Sequence, residues 1–389
     1  MSDASQIVVI GGGLVGAACA IALTQQGFQV TLLDSKGAPK ALSPAGNEWD
    51  NRIYAISPGN TAWLSRLGIW ERIDQSRVCA IETMGIWGDS GAKPLQFKAY
   101  EANAIALGYI VENNQLHEAL WDAMRNTGVN MVTGVECKHL QLANEQAQLD
   151  LADGRTILAQ LVIAAEGGSS SLREQAGLAI STHDYQQIGI VANFETELPH
   201  KHIARQWFRS DGVLVWLPLP GNRISMVWST AKSNDMMRLD DVVLTEKVAE
   251  AGAYSLGAMR LLTPAAAFPL SKQAPSQLIK PRLALIGDAA HKVHPLAGQG
   301  VNLGFRDVIA LVEILSQRNP YQDIGDGMLL RRYERARKSD MLAVQSLTHG
   351  LHMLFENEQP LVKKLRNWGL SLANRQSVLK KHLIKQAIV

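Results

Sequence analysis

Residues Gly287–Gly304, GDAAHKVHPLAGQGVNLG, combine more chemistry than any other stretch of this chain. Asp288 follows an apolar run, Leu283–Ile286, that reads as a buried strand, and a Pro-Leu-Ala-Gly-Gln-Gly turn then opens a helix. A second strand–glycine turn–helix signal, IVVIGGGLVG, lies at the other end of the chain, Ile7–Gly16. There Gly11, Gly13 and Gly16 satisfy G-x-G-x-x-G: the first permits a tight turn, the second lets backbone approach a pyrophosphate, and the third lets the helix pack on the strand. Leu14 and Val15 begin that helix, whose unpaired N–H groups and positive dipole end face a phosphate. Asp34 closes the next strand, about twenty residues on, where a carboxylate binds ribose hydroxyls. It also disfavours a 2′-phosphate, and so NADP, at this site. One such turn suggests a dinucleotide; two, at opposite ends of one chain, suggest a single long cofactor gripped at both ends, and FAD is long enough. The alternative is a glycine-rich turn with no ligand.

The elements that must position these residues are legible in outline. Gln6–Ile10, Leu14–Gln26 and Gln29–Asp34 read as strand, helix, strand. Ser35–Asn51 reads as loop and Thr61–Leu67 as helix. Ile81–Tyr100 breaks the α/β rhythm. Tyr109–Arg125 has a helix pattern, with Leu116, Leu120 and Met124 one turn apart. Asp153-Gly154 marks a hairpin, and Leu161–Ala165 is again an apolar strand. His183–Ser229 alternates like an antiparallel meander. Asp240–Ala251 reads as helix, and from Leu303 the chain is mostly helical.

Net charge is +2, with 47% hydrophobic and 19% charged residues, ordinary for a globular protein and no bias toward nucleic acid. Cys19, Cys79 and Cys137 are odd in number and far apart, which argues against a disulfide or zinc framework and fits a reduced cytoplasm. The amino terminus lacks a signal-peptide pattern, and no apolar run is long enough to span a bilayer. After Glu358 no acidic residue occurs, while Lys363, Lys364, Arg366, Arg375, Lys380, Lys381 and Lys385 accumulate.

GDAAHKVHPLAGQGVNLGFRDV resembles the flavin-ribityl motif of the class A flavoprotein monooxygenases, which have the para-hydroxybenzoate hydroxylase fold. LAGQGVNLG is most similar to the wording of the ubiquinone-biosynthesis hydroxylases of the UbiH, UbiF and UbiI type. Asp50–Ser57, DNRIYAIS, resembles that group's D-x-R-x-x-A-[LI]-S segment, and Gly108–Asn113 resembles the start of its next long helix. The similarity runs over nearly the whole chain. It implies an α/β fold: a Rossmann-like FAD-binding domain with an inserted antiparallel β-sheet substrate domain and a helical C-terminus. The expected bounds are 1–75, 101–180 and 275–345 for the discontinuous FAD-binding domain, 76–100 and 181–274 for the substrate domain, and 346–389 for the C-terminal segment.

The resemblance implies roles for single residues. Asp288 would accept a hydrogen bond from a ribityl hydroxyl, with a turn carboxylate as the alternative. Pro295, fixed in φ, would shape the wall beside the isoalloxazine. Gly298, Gly300, Val301 and Asn302 would bring backbone N–H groups and a positive helix end to the flavin ring. Arg52 would lie near the flavin; from the residues alone a surface ion pair serves equally. Asn113 stands where many relatives outside this subgroup carry an Arg facing the cofactor, and a helix cap is the alternative. Relatives read GADGxxSxVR after the third apolar strand. Here the stretch is Ala165-Glu166-Gly167-Gly168-Ser169-Ser170-Ser171-Leu172-Arg173, so Glu166 replaces the Asp that the family uses toward FAD and the pyridine nucleotide. His291 and His294 have no third ligand at matching spacing, and a packing or proton-relay role stands against metal.

The implied activity is an NAD(P)H- and O2-dependent FAD monooxygenase. It would hydroxylate the ring of a polyprenyl-phenol in ubiquinone biosynthesis through a flavin C4a-hydroperoxide. The cofactor carries that chemistry, so no acid/base residue is assigned. Trp207, Leu214, Trp216, Leu217 and Trp228 are candidates for the pocket lining or for ordinary sheet core. Two other functions stay open: a hydroxylase of a soluble phenol, and a low-turnover flavin scaffold among other ubiquinone-biosynthesis proteins. Leu361, Leu365, Trp368 and Leu372 share a helical face among basic residues. They suggest a cytoplasmic protein with peripheral contact on the inner face of the membrane, or else a helix packed on the protein.

Overall fold

Ile7, Val8 and Val9 are fully buried, so the first strand, Asp3–Ile10, is covered on both faces. A β-branched strand of this kind belongs inside a parallel sheet flanked by helices. The computed structural model describes residues 3–39, 48–88, 94–209, 211–231, 236–292 and 299–356. Asp3–Ile10 pairs in parallel with Val30–Asp34 on one side and Thr156–Ala164 on the other. Asn130–Thr133 and Leu283–Leu285 extend the two flanks, also in parallel. An antiparallel arm, Ala147–Leu151 and Cys137–Leu142, folds back from Thr156–Ala164. Against this sheet lies the alanine-rich helix Leu14–Gln25, buried for most of its length; its small side chains let it sit close.

Register explains how the two glycine-rich turns meet. Ile10 lies beside Leu33 and Ala164, and Ala164 lies beside Leu285. The strands therefore end at one level. The segments beginning at Gly11, Asp34, Ala165 and Ile286 all leave the same carboxyl edge, where open parallel sheets bind ligands.

A second sheet is largely antiparallel. Its order is Met259–Leu261, Ile180–Thr196, Arg223–Thr230, Gly212–Leu219, Ile203–Arg209, Thr83–Trp87 and Leu95–Lys98, and Ala266–Pro275 pairs with Ile180–Val191 of the second of these. Strand residues alternate faces. Ile190, Phe194, Leu214, Trp216, Met226 and Trp228 share one face and pack against Leu244 and Val248 of the helix Asp241–Ala251. The opposite face carries Ala204, Leu217 and Leu219. These pack on a small antiparallel sheet of Ile53–Ile56, Gly108–Glu112 and Cys79–Ile81. The described residues end with the helices Gln299–Ser316 and Gly327–Glu356. Among the described residues no helix is long and apolar enough to cross a membrane.

One expectation changes. The helix read from Tyr109 begins at Asn113, because Tyr109–Val111 pair with Tyr54–Ile56 and only Leu116 onward follows the helical period. Of the two readings open for the sheet candidates, ordinary core holds for Leu214, Trp216 and Trp228, fully buried under the helix Asp241–Ala251; Trp207 packs against that core, and Leu217 alone of the five faces the other way.

Candidate active site

The glycine turn is built by close approach. Gly11 has φ +107°, and a Cβ there would stand 2.4 Å from the Ala165 carbonyl oxygen. A Cβ on Gly16 would stand 1.9 Å from the Gly11 oxygen, so strand and helix meet only without one. Gly13, by contrast, has no atom within 4 Å of its Cβ position. It faces open space in front of the amino end of Leu14–Gln25, where four N–H groups lack helical partners. Leu14 is buried, and Val15 points away from that opening: its methyls touch the Cβ positions of Gly287 (3.2 Å) and Gly304 (2.6 Å). Val15 thereby joins the amino-terminal turn to the carboxyl-terminal motif.

Asp34 closes the turn from the neighbouring strand. Its Oδ2 accepts from Gly12 N at 2.5 Å, and its Oδ1 accepts from Lys36 N and Gly37 N at 2.7 and 3.1 Å. Two residues that sequence reasoning missed hold the other side of Gly12, at the next peptide. His117 Nε2 lies 2.8 Å from the Gly12 carbonyl oxygen, and Trp121 Nε1 donates to it at 2.9 Å. Both come from the helix Asn113–Arg125, one turn apart. Their only sequence signal was a polar-tipped pair on an otherwise apolar face.

The Asp50–Ser57 segment is clamped from several directions. Glu112, 2% exposed, takes a two-pronged bond from Arg77 at 2.7 and 2.8 Å and accepts from Asp50 N at 2.8 Å. Asp50 accepts from Arg52 N and Asn114 N, and Asn193 of the large sheet donates to the Asp50 carbonyl oxygen at 2.9 Å. Arg52 is exposed, its guanidinium 5.5 Å from the Tyr54 ring. Burial pushes the Tyr54 phenol up to about 12; Arg52 opposes that rise and Asp288 adds to it, so Arg52, Tyr54 and Asp288 share one neighbourhood. Asn113 is half-buried; its N–H donates to the Arg52 carbonyl oxygen at 2.8 Å, joining helix to loop.

The carboxyl-terminal motif arrives from the strand Leu283–Leu285. Asp288 is exposed at the sheet's carboxyl edge. Gly300 opens onto space, with no atom within 4 Å of its Cβ position, and Val301 behind it is 7% exposed. Asn302 is buried: its Oδ1 accepts from Ser57 N and Asn60 Nδ2 (both 2.9 Å), and its Nδ2 donates to the Ala55 oxygen at 2.7 Å. This side chain ties the motif helix to the Asp50–Ser57 segment. Glu166 turns inward, accepting from Ser170 Oγ at 2.6 Å, Ser171 Oγ at 3.1 Å and Leu172 N at 3.3 Å. The added methylene lets its carboxylate reach the amino end of the helix Ser171–Gln175. Arg173, 2% exposed, donates to the Ala289 and Gly168 carbonyl oxygens and so links that loop to the Asp288 turn. His291 is held by Asp307 at 2.6 Å. Pro295, His294 and Gly298 lie outside the described residues.

Comparison with known proteins gives this geometry a class. A family model for the FAD binding domain matches residues 4–346. The chain is 35% identical to the 3-demethoxyubiquinol 3-hydroxylase of Escherichia coli (strain K12), over 99% of this chain and 98% of that protein. It is 32% identical to the mitochondrial ubiquinone biosynthesis monooxygenase COQ6 of Mus musculus, over 97% of this chain and 90% of that protein. Among solved structures it matches p-nitrophenol 4-monooxygenase PnpA from Pseudomonas putida DLL-E4 with a TM-score of 0.80 at 17% identity, over 99% and 98% of the two chains. An HpxO variant of Klebsiella pneumoniae complexed with FAD matches with a TM-score of 0.76 at 16% identity, over 98% and 97%. Fold and site together define an FAD-binding flavoprotein of the monooxygenase class. More narrowly, the chain belongs to the family of FAD-dependent hydroxylases of ubiquinone biosynthesis. The residues present fit the cofactor: two glycines with open fronts, a helix amino end and exposed Asp288 stand along one sheet edge.

Proposed function

We propose that this protein hydroxylates the aromatic ring of a polyprenyl-phenol intermediate of ubiquinone biosynthesis, using O2 and NAD(P)H. The observation that carries the reading is the shared carboxyl edge, where Gly11–Gly16, Asp34 and the Asp288 turn stand in register on neighbouring strands. Bound FAD supplies the redox chemistry, accepting reducing equivalents from NAD(P)H and activating O2. The protein binds, orients and excludes water. Gly13 and the N–H groups of Leu14 and Val15 take the pyrophosphate, and Asp34 the adenosine ribose. Asp288 accepts from the ribityl chain. The first turn of Gln299–Ser316, at Gly300 and Val301, would offer positive helix-end potential to the bound flavin. Asn302 holds that turn in place. Arg52, beside Tyr54, would lie near the flavin ring. Asn113 supports Arg52 through the backbone. Glu166 acts through the loop it braces. The antiparallel sheet within 76–100 and 181–274 would form the substrate domain.

The decisive test is the profile of quinone intermediates in a deletion strain. Accumulation of one under-hydroxylated intermediate is expected, and an unchanged profile would overturn the substrate. Phenol-stimulated NAD(P)H oxidation by purified protein tests turnover. A low-turnover flavin scaffold is the second reading, favoured by Glu166, whose carboxylate is engaged within its own loop; phenol-independent, negligible oxidation would select it. Peripheral membrane contact is read from the basic segment after Glu358, which lies outside the described residues. Liposome flotation with and without 359–389 tests it, and equal flotation removes it.

A further inference from the structure

The helix Gly327–Glu356 lies outside the residues that resemble a flavin motif, yet one of its faces grips that motif at two points and the strand that leads into it at a third. Tyr333, fully buried, donates its hydroxyl to the Leu285 carbonyl oxygen at 2.7 Å, on the strand that feeds the Asp288 turn. One turn later, Arg337 donates Nε to Asp307 Oδ1 at 2.7 Å. Its Nη2 reaches the carbonyl oxygen of Leu303, in the opening turns of the motif helix, at 3.4 Å. Its Nη1 donates to Asp340 at 2.7 Å, which holds the guanidinium in register along its own helix.

Asp307 is the node. It has no exposed surface. Its Oδ2 accepts from Gly287 N at 2.9 Å and lies 2.6 Å from His291 Nε2, while its Oδ1 takes Arg337. Gly287 and His291 bracket Asp288 on both sides. A buried carboxylate is costly without partners and rigid with them, because each lost donor leaves an uncompensated charge. The turn around Asp288 is thus pinned to the interior of Gln299–Ser316 and, through Arg337, to the following helix.

We propose that Asp307, Arg337 and Tyr333 are positioning residues for the ribityl and ring end of the cofactor. They fix the spacing between the Asp288 turn and the first turn of Gln299–Ser316 without touching the flavin. The inference rests on the FAD reading above. Its scope is narrower: the adenosine end, at Gly11–Gly16, takes its side-chain hydrogen bonds from Asp34, His117 and Trp121 and meets this cluster only through the packing of Val15 on Gly287, so it should respond far less.

That asymmetry supplies the test. Affinities of the apoprotein for FAD, by flavin fluorescence quenching, and for ADP, by calorimetry, are compared in wild type, Tyr333→Phe, Arg337→Lys and Asp307→Asn. The loss of one well-made bond to a charged or buried group is about a tenfold effect on FAD affinity. ADP affinity is expected within twofold of wild type, with a shifted visible spectrum of the bound flavin. A drop in FAD affinity at least fivefold larger than any drop for ADP supports the proposal. A smaller difference, including parallel losses or none, overturns it. Should Asp307→Asn fail to fold, Tyr333→Phe, which removes one oxygen from a packed ring, carries the test. Wild-type protein that takes up no FAD would instead sink the cofactor reading, a distinct result.

Discussion

At the scale of single residues, charge is directed by geometry more than by type. Glu166 keeps the negative charge of the family's Asp, but its longer side chain bends back to Ser170, Ser171 and Leu172 N. A carboxylate there faces the positive end of a short helix, worth about 1 kcal/mol. Glu166→Gln is therefore expected to lower the free energy of unfolding, measured by urea titration, by about that amount while leaving FAD affinity within twofold. A tenfold loss of FAD affinity would show that the carboxylate works on the cofactor instead. His117 shows the converse, a residue with no motif around it that supports one. It shares the Gly12 carbonyl with Trp121, while Asp34 takes the Gly12 N–H, so the two peptides on either side of the Gly12 Cα are both fixed. His117→Gln, which can place an amide nitrogen near the Nε2 position, is expected to keep FAD affinity within about threefold, and His117→Ala to weaken it about tenfold, the worth of one hydrogen bond to a buried carbonyl. Equal affinities for the two variants, measured by fluorescence titration, would remove His117 from the site.

At the scale of elements, the crossing of Leu14–Gln25 with Gln299–Ser316 sets the distance between the two ends of the cofactor site. That crossing is close because Gly304 offers no side chain to Val15, 2.6 Å from where a Cβ would sit, with Gly287 against the same valine. Gly304→Ala should cost about 1–3 kcal/mol through overpacking. Val15→Ala alone should cost about 1 kcal/mol as a cavity. The double variant should recover part of the loss, with a coupling above about 0.5 kcal/mol in a denaturation cycle; strict additivity would mean that the helices do not meet as described. The sequence showed Val15 and Gly304 only as members of separate motifs, because a contact between helices has no local signature. The strands, the Asp34 position and the meander were legible because each follows a short-range period or a turn residue. Tyr109–Val111 were absorbed into a helix pattern because their pairing partner, Tyr54–Ile56, lies far away in sequence. Asn302 was visible as a motif residue, but its bonds to Ser57, Asn60 and Ala55 depend on a segment that no spacing rule connects to it.

At the scale of the whole molecule, the question is which buried charge makes the assembly sensitive to acid. Several carboxyls are held below the usual range, but Asp74, Asp150 and Asp153 are solvated, and solvated pairs contribute little. Asp323 is partly exposed beside Arg282. Asp307 differs: burial alone would raise it, yet His291 and Arg337 outweigh that and hold it low. A carboxylate whose folded-state value lies below its unfolded value of about 3.9 stabilises the fold above that pH, and this contribution disappears as pH falls through the folded value. The stabilisation is therefore complete at neutral pH and decays below about pH 4. Melting temperature against pH should then fall more steeply below about pH 4 in wild type than in Asp307→Asn, which starts lower but has no proton to take up. Because Asp307 joins the Asp288 turn, the motif helix and the last described helix, flavin release should track that decline and precede global unfolding. If the two profiles stayed parallel across this window, the acid-sensitive charge would have to be sought elsewhere, and Asp307 would be a static tie.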